Sequence, residues 1–93
     1  MIDGAEAGAD LLKGLAHPIR LMALCYIGEG EMAVQDLADN IGTTQSNISQ
    51  HLAKLRTAGI VAVRRQDNKV FYRVANPAAL ELIQVLQKTY CPV

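Results

Sequence analysis

The chain has no tryptophan and a single phenylalanine in its 93 residues. Yet 51% of it is apolar, so Ala, Leu, Val and Ile carry that content, a composition that favours helices packed on helices. No apolar run reaches the length needed to cross a bilayer. The opening MIDGAEAGAD is acidic and lacks the basic start and apolar centre of a signal peptide. The expectation is a cytoplasmic chain with no membrane partner. Only two cysteines are present, Cys25 and Cys91, which excludes the disulfide framework of small secreted domains. They are buried thiols, or they serve redox or metal chemistry. A chain this short forms one domain and is marginal alone or leans on a partner subunit.

Net charge is zero, so overall basicity does not point to nucleic acid. The distribution does. Residues 1–42 carry Lys13 and Arg20 against seven acidic residues, from Asp3 to Asp39. Residues 43–76 carry Lys54, Arg56, Arg64, Arg65, Lys69 and Arg73 against Asp67 alone. One contiguous third of the chain is therefore basic, the footprint of a surface that meets phosphates.

Helix signals dominate the first two thirds. Glu6 to Leu15 reads as a helix with Ala9, Leu12 and Leu15 on one face. His17-Pro18 opens a second, since proline suits a first helical turn; its body IRLMALCYI runs to Gly28, and GEGE stops it. Val34, Leu37, Ala38 and Ile41 recur at helical spacing and mark a third, with Gly42 suited to the left-handed position after it. Thr43 or Thr44 caps a fourth, whose buried seam is Ile48, Leu52 and Leu55 and whose end is Gly59. The period then changes. IVAVRR and KVFYRV alternate, with QDN between them and Asp67-Asn68 as the turn pair, so the two strands form a β-hairpin. Asn76-Pro77 opens a last helix with Leu80, Ile83, Leu86 and Tyr90 as its periodic face.

The order α-α-α-α-β-β-α is mainly α with a β-hairpin wing. It predicts one winged helix-turn-helix domain over 1–93: a helix-turn-helix at about 34–58, a wing at about 60–75, and terminal helices at about 5–15 and 77–91. The stretch TTQSNISQHLAKLRTAG then explains itself. Its helix needs only the seam to dock. Outward it carries Gln45, Ser46, Asn47, Ser49, Gln50 and Lys54, with His51 beside them. In a helix-turn-helix the second helix enters the major groove with its N-terminal residues on base edges. Gln and Asn can bond adenine bidentately, and Ser can bond several edges or a phosphate. Thr44 stands at the helix N-terminus, where free N–H groups attract phosphate. Arg64, Arg65, Asn68 and Lys69 at the wing would reach the minor groove or backbone. Taken alone the helix reads as a solvated amphipathic face. Helix, tight turn, polar helix and basic hairpin together point to double-stranded operator DNA.

LLKGLAHPIRLMALCYI, followed by VQDLADNIGTTQSNISQHLAKLRTAGIVAVRRQDNKVFYRV, resembles the ArsR/SmtB family of winged-helix repressors over nearly the whole chain. The resemblance implies a homodimer paired through its first and last helices, with the face of Leu80, Ile83, Leu86 and Tyr90 against its symmetry mate, and an operator bound until an inducer is sensed. Two departures stand out: Ala33 replaces the Ser or Thr that usually caps the third helix, and Asn47 occupies an often small position.

The metal sites of that family are not matched. The third helix, in EMAVQDLADNIG, has no cysteine, and the last helix has Glu81 but no histidine. His17 resembles the family's usual residue before proline and caps or packs there, and His51 touches backbone or a neighbour. No metal or other cofactor is expected. Cys25 in LMALCYI and Cys91 in KTYC instead resemble the persulfide- and redox-responsive members of the BigR, SqrR and HlyU type. In those relatives two thiols at matching places are bridged by reactive sulfur species, and DNA is released. A thiolate is needed to attack a sulfane sulfur or peroxide, and a second thiol resolves the adduct. Taken alone, Cys25 is a buried small hydrophobe. The combined expectation is a non-enzymatic, dimeric repressor that leaves its operator when reactive sulfur species or oxidants act on Cys25 and Cys91. The alternatives are a metal- or metalloid-responsive repressor of the same fold and, in another class, a redox or interaction module with no DNA role. A thiol oxidoreductase would usually show Cys-x-x-Cys at a helix start, which this chain lacks.

Overall fold

The computed structural model describes residues 1–90. In chain order the elements are α1 (Ile2–Leu15), α2 (Pro18–Ile27), β1 (Glu31–Ala33), α3 (Val34–Ile41), α4 (Gln45–Thr57), β2 (Val61–Gln66), β3 (Lys69–Val74) and α5 (Pro77–Thr89). All five expected helices are present, and the fold is mainly helical with a wing.

The caps follow the local sequence. His17 caps α2, its Nδ1 accepting from the Ile19 N–H at 3.1 Å, with Pro18 in the first turn. Thr44, not Thr43, caps α4, its Oγ1 accepting from the Asn47 N–H at 3.0 Å. Asn76 Oδ1 accepts from both the Ala78 and Ala79 N–H groups at the start of α5. Ala33 precedes α3 with no side-chain cap. Gly42 closes α3 at φ 84°, the left-handed turn that leads into α4. Asp67 and Asn68 both have positive φ, 51° and 65°, which makes the two-residue turn of the kind that matches strand twist. Gln66 therefore pairs with Lys69, and the register runs down to Val61 opposite Val74.

Three features differ from the sequence reading. The wing is a three-stranded antiparallel sheet in the order β1-β3-β2, because Glu31, Met32 and Ala33 pair with Arg73, Tyr72 and Phe71. Three residues inside GEGEMA are too short a run to show alternation, and the sequence alone marks only a helix stop at GEGE. Helix α1 begins at Ile2, ahead of Glu6, and its Leu12 points outward at 57% exposure. Finally, Ile83 is completely buried within this subunit, as is Ala79. The α5 face that holds Ile83 is the inner one, so that side chain is unavailable to a symmetry mate; Val85 and Tyr90 are the exposed apolar residues there.

The core joins α2, α3, α4, α5 and the root of the wing: Leu24, Leu37, Ile48, Leu52, Leu55, Ile60 and Ile83 are its largest fully buried side chains. The seam foreseen for α4 is thus what holds that helix. Leu52→Ala is expected to lower the free energy of unfolding by roughly 2–5 kcal/mol, through lost transfer energy and the cavity left behind. Urea denaturation reads this as a midpoint shift. A loss under about 1 kcal/mol would show that the site collapses and that the seam does not secure the helix.

Candidate nucleic-acid interface

The seam turns the remaining faces of α4 outward. Gln45, Ser46, Gln50 and Lys54 are exposed, whereas Asn47, Ser49 and His51 are half-buried. Asn47 donates its Nδ2 to Thr43 Oγ1 at 2.9 Å. That bond uses one of the two Nδ2 hydrogens and fixes how the amide is turned, leaving the other N–H and the oxygen for a base edge. The exposed Gln45 and Gln50 have no such tie among the hydrogen bonds of the described residues, so they present both amide ends. A groove of about 280 Å³ runs from the first turn of α3, Val34 to Asp36, past Gln45 to Asn68, Lys69 and Val70. It brings the start of the recognition helix and the wing tip to one surface.

The basic residues of the wing divide into two kinds. Arg65, Asn68 and Lys69 are exposed at the hairpin tip. Arg64 is committed within the subunit. Its Nε donates to the Glu31 carboxylate at 2.8 and 2.9 Å, its remaining guanidinium nitrogens reach Glu31 and Gln66, and its Cζ lies 4.6 Å from the centre of the Phe71 ring. The hydrogen bond from Arg64 holds the Glu31 carboxyl below its ordinary value and raises Arg64 in turn. Strand β1, which sequence reasoning missed, is what supplies this partner.

His51 is held from within. Its Nδ1 accepts from Arg20 Nε at 3.2 Å, and its ring lies 4.3 Å from that of His17. Both imidazoles accept at Nδ1, so in the neutral rings both carry their proton at Nε2. A metal would require one of them to surrender that arrangement. Among the described residues no cluster of three His, Cys, Asp or Glu could hold a metal ion. Burial, then the nearby His17, Arg20 and Lys54, push the His51 pKa down from its ordinary value.

Cys25 sits on α2 at 5% exposure, packed in the core. Among the described residues no cysteine is free. Helix α2 ends two residues after Cys25, so the Cys25 carbonyl lies in its last turn, where carbonyls lack intrahelical partners. Gln87 Nε2 of α5 donates to it at 2.9 Å, and Gln84 of the same helix donates to Glu29 at 2.6 Å. These links tie the end of α2 to α5. Nothing in the sequence marked Gln87, a glutamine on an amphipathic helix. Cys91, the second candidate sensing residue, lies outside the described residues.

A helix-turn-helix whose second helix shows a polar face, followed at once by a basic twisted hairpin, defines a winged-helix DNA-binding protein. The comparisons with known proteins agree. Residues 17–63 match the family described as "Bacterial regulatory protein, arsR family", and the chain belongs to that family. It is 43% identical over 87 residues to the biofilm growth-associated repressor of Xylella fastidiosa, covering 94% of this chain and 76% of that one. The crystal structure of the transcriptional repressor BigR from Xylella fastidiosa superposes with a TM-score of 0.87 at 42% identity, covering 98% of this chain and 93% of that one. Reduced HlyU from Vibrio cholerae superposes with a TM-score of 0.93 at 34% identity, covering 98% and 96%. The chain is therefore a DNA-binding transcriptional regulator of the BigR- and HlyU-like group, and not an enzyme. No helix among the described residues is long and apolar enough to cross a membrane.

The division of the wing has a measurable consequence. Lys69→Ala and Arg65→Ala are each expected to lower the slope of log affinity against log salt by about one, the loss of one phosphate contact. Arg64→Ala is expected to leave that slope nearly unchanged, because Glu31 already neutralises the guanidinium. Fluorescence anisotropy with labelled duplex over a salt series reads all three.

Proposed function

We propose that this chain is a homodimeric repressor that binds double-stranded operator DNA and lets go when reactive sulfur species, or oxidants, join Cys25 to Cys91. The DNA contacts fall to Thr44, Gln45, Ser46, Asn47, Ser49, Gln50 and Lys54 on α4 and to Arg65, Asn68 and Lys69 on the wing, with Arg64 bracing the sheet. Dimerisation falls to α1 and α5. Ile2, Leu12, Val85 and Tyr90 are 57–75% exposed on or next to those two helices, and a chain this small gains most by covering such surface.

The observation that carries the sensing reading is the bond from Gln87 to the Cys25 carbonyl. It ties α5 to the backbone of Cys25, and Cys91 follows Gln87 by four residues in the sequence. The chemistry balances without a further oxidant. Each thiolate takes a sulfane sulfur from a small persulfide and releases that molecule's thiolate. The Cys25 persulfide anion then attacks the Cys91 persulfide at Sγ, expels hydrosulfide and closes a trisulfide. Excess small thiol returns both cysteines to thiols: it is itself oxidised to disulfide, and the inserted sulfur leaves as hydrosulfide. A tether between a core helix and a dimerisation helix changes how the two subunits sit. The spacing of their recognition helices must fit about one turn of DNA, so a small shift costs much affinity.

The test compares affinity for a labelled duplex from the DNA upstream of its own coding sequence before and after treatment with glutathione persulfide, then after re-reduction. A reversible fall of at least about tenfold, or about 1.4 kcal/mol, is expected in the parent chain. Cys25→Ser and Cys91→Ser are expected to bind like the reduced protein and to ignore the treatment. Equal binding by treated and reduced parent protein would leave a DNA-binding regulator and remove the sulfur switch.

A further inference from the structure

On α4, His51 turns its hydrogen-bonding atom into the subunit. His51 Nδ1 accepts from Arg20 Nε at 3.2 Å, and the same guanidinium donates from its Nη1 to the Gly14 carbonyl at 3.3 Å. The His51 ring rests on His17, at 4.3 Å and an interplanar angle of 43°, and His17 is fixed by its cap on Ile19. The end of α1, the first turn of α2 and the middle of α4 therefore meet in one polar knot. Apolar contacts are not directional. A seam made of Ile48, Leu52 and Leu55 holds α4 down but does little to stop it rolling about its axis. A hydrogen bond at the flank of that seam is directional, and it sets the roll.

We propose that His51 and Arg20 are positioning residues for DNA recognition: the neutral His51 ring, held by Arg20, sets the roll of α4, and a proton on Nδ1 releases it, so DNA affinity falls on acidification. The proton comes from solvent and turns the acceptor into a donor. Two donors and two positive charges then face each other. The charged and titratable groups that act on the ring are Arg20 and His17 from α2 and Lys54 one turn further along α4. All of them resist its protonation, and so does burial, the largest effect. Because the folded protein holds the ring neutral more firmly than the unfolded chain does, the contribution is complete above the ordinary histidine value of 6.5. It is lost as pH falls through that value towards the depressed one. A His51 that touched phosphate directly would behave oppositely, since its added charge would strengthen binding in acid.

The sign of the effect decides between the two roles. His51→Asn puts a non-titrating amide oxygen close to the place of Nδ1, where it accepts from Arg20. Parent and variant are compared by fluorescence anisotropy on a labelled duplex from the DNA upstream of the chain's own coding sequence, at about pH 7.5 and about pH 5.5, on either side of the histidine range. Ionic strength is fixed, and circular dichroism melting follows the fold. His17 is retained in both. The variant is expected to bind within about threefold of the parent at the higher pH, while the parent loses at least about fivefold relative to it at the lower. A parent that gains on the variant in acid makes His51 a DNA contact and overturns the proposal. So does an unchanged ratio. If His51→Asn does not fold, Arg20→Met carries the test. It is expected to bind more weakly at pH about 7.5 and to lose the extra fall in acid; parent-like behaviour at both pH values overturns the proposal.

Discussion

Burial of Ile48, Leu52 and Leu55 is the constraint on which the rest of the structure depends. These three side chains join Leu24, Leu37 and Ile83 in one cluster, and they suffice to anchor a helix of 13 residues. Economy in the core frees the surface. Most other positions on α4 can be chosen for what they offer outward, which is why the helix reads as polar and still stays folded. The same economy has a mechanical cost, because a narrow apolar stripe fixes where a helix lies better than how it is turned. Directional polar contacts at its edges fill that gap: Thr44 on the N-terminus, Asn47 to Thr43, Arg20 to His51.

Charge is arranged with similar selectivity. The acidic first third and the basic middle third cancel in the total, but folding does not mix them evenly. Strand β1 carries Glu31 across the sheet to Arg64, so one basic residue of the wing stiffens it while Arg65 and Lys69 stay at the tip. Such an exposed pair contributes little to stability. Its effect is to fix the hairpin relative to β1, and so relative to the groove that runs from the wing tip to α4.

Much of this was legible in the sequence because it is written locally. Gly42 at the turn, the threonine pair before α4, the Asp67-Asn68 turn and the helical spacing of the seam each report on their own few neighbours, and each element formed where it was expected. What escaped depends on distant partners. β1 is a strand only because β3 lies beside it. Periodicity puts Ile83 on one stripe with Leu80, Leu86 and Tyr90 without saying what covers it, and the subunit's own core covers Ile83. The Arg64–Glu31 and Gln87–Cys25 contacts join residues 33 and 62 positions apart, beyond any local pattern. The site surface was therefore readable as a set of residues, while the sorting of that set into groups that face outward and groups that brace the scaffold needed the fold. A link between Cys25 and Cys91 is implied only by the family resemblance, and Cys91 lies outside the described residues.

Gly42 carries a consequence for genetics. A β-carbon there would meet no atom within 4 Å, yet the backbone stands at φ 84°, where side chains are strained. A survey of random substitutions would score this position as intolerant although it lies in open space beside α4. By that pattern alone it would pass for a contact residue. Its defect would be a mis-set turn, and it would weaken binding to every sequence alike, so that comparing many operators, and not one, tells a broken hinge from a lost base contact.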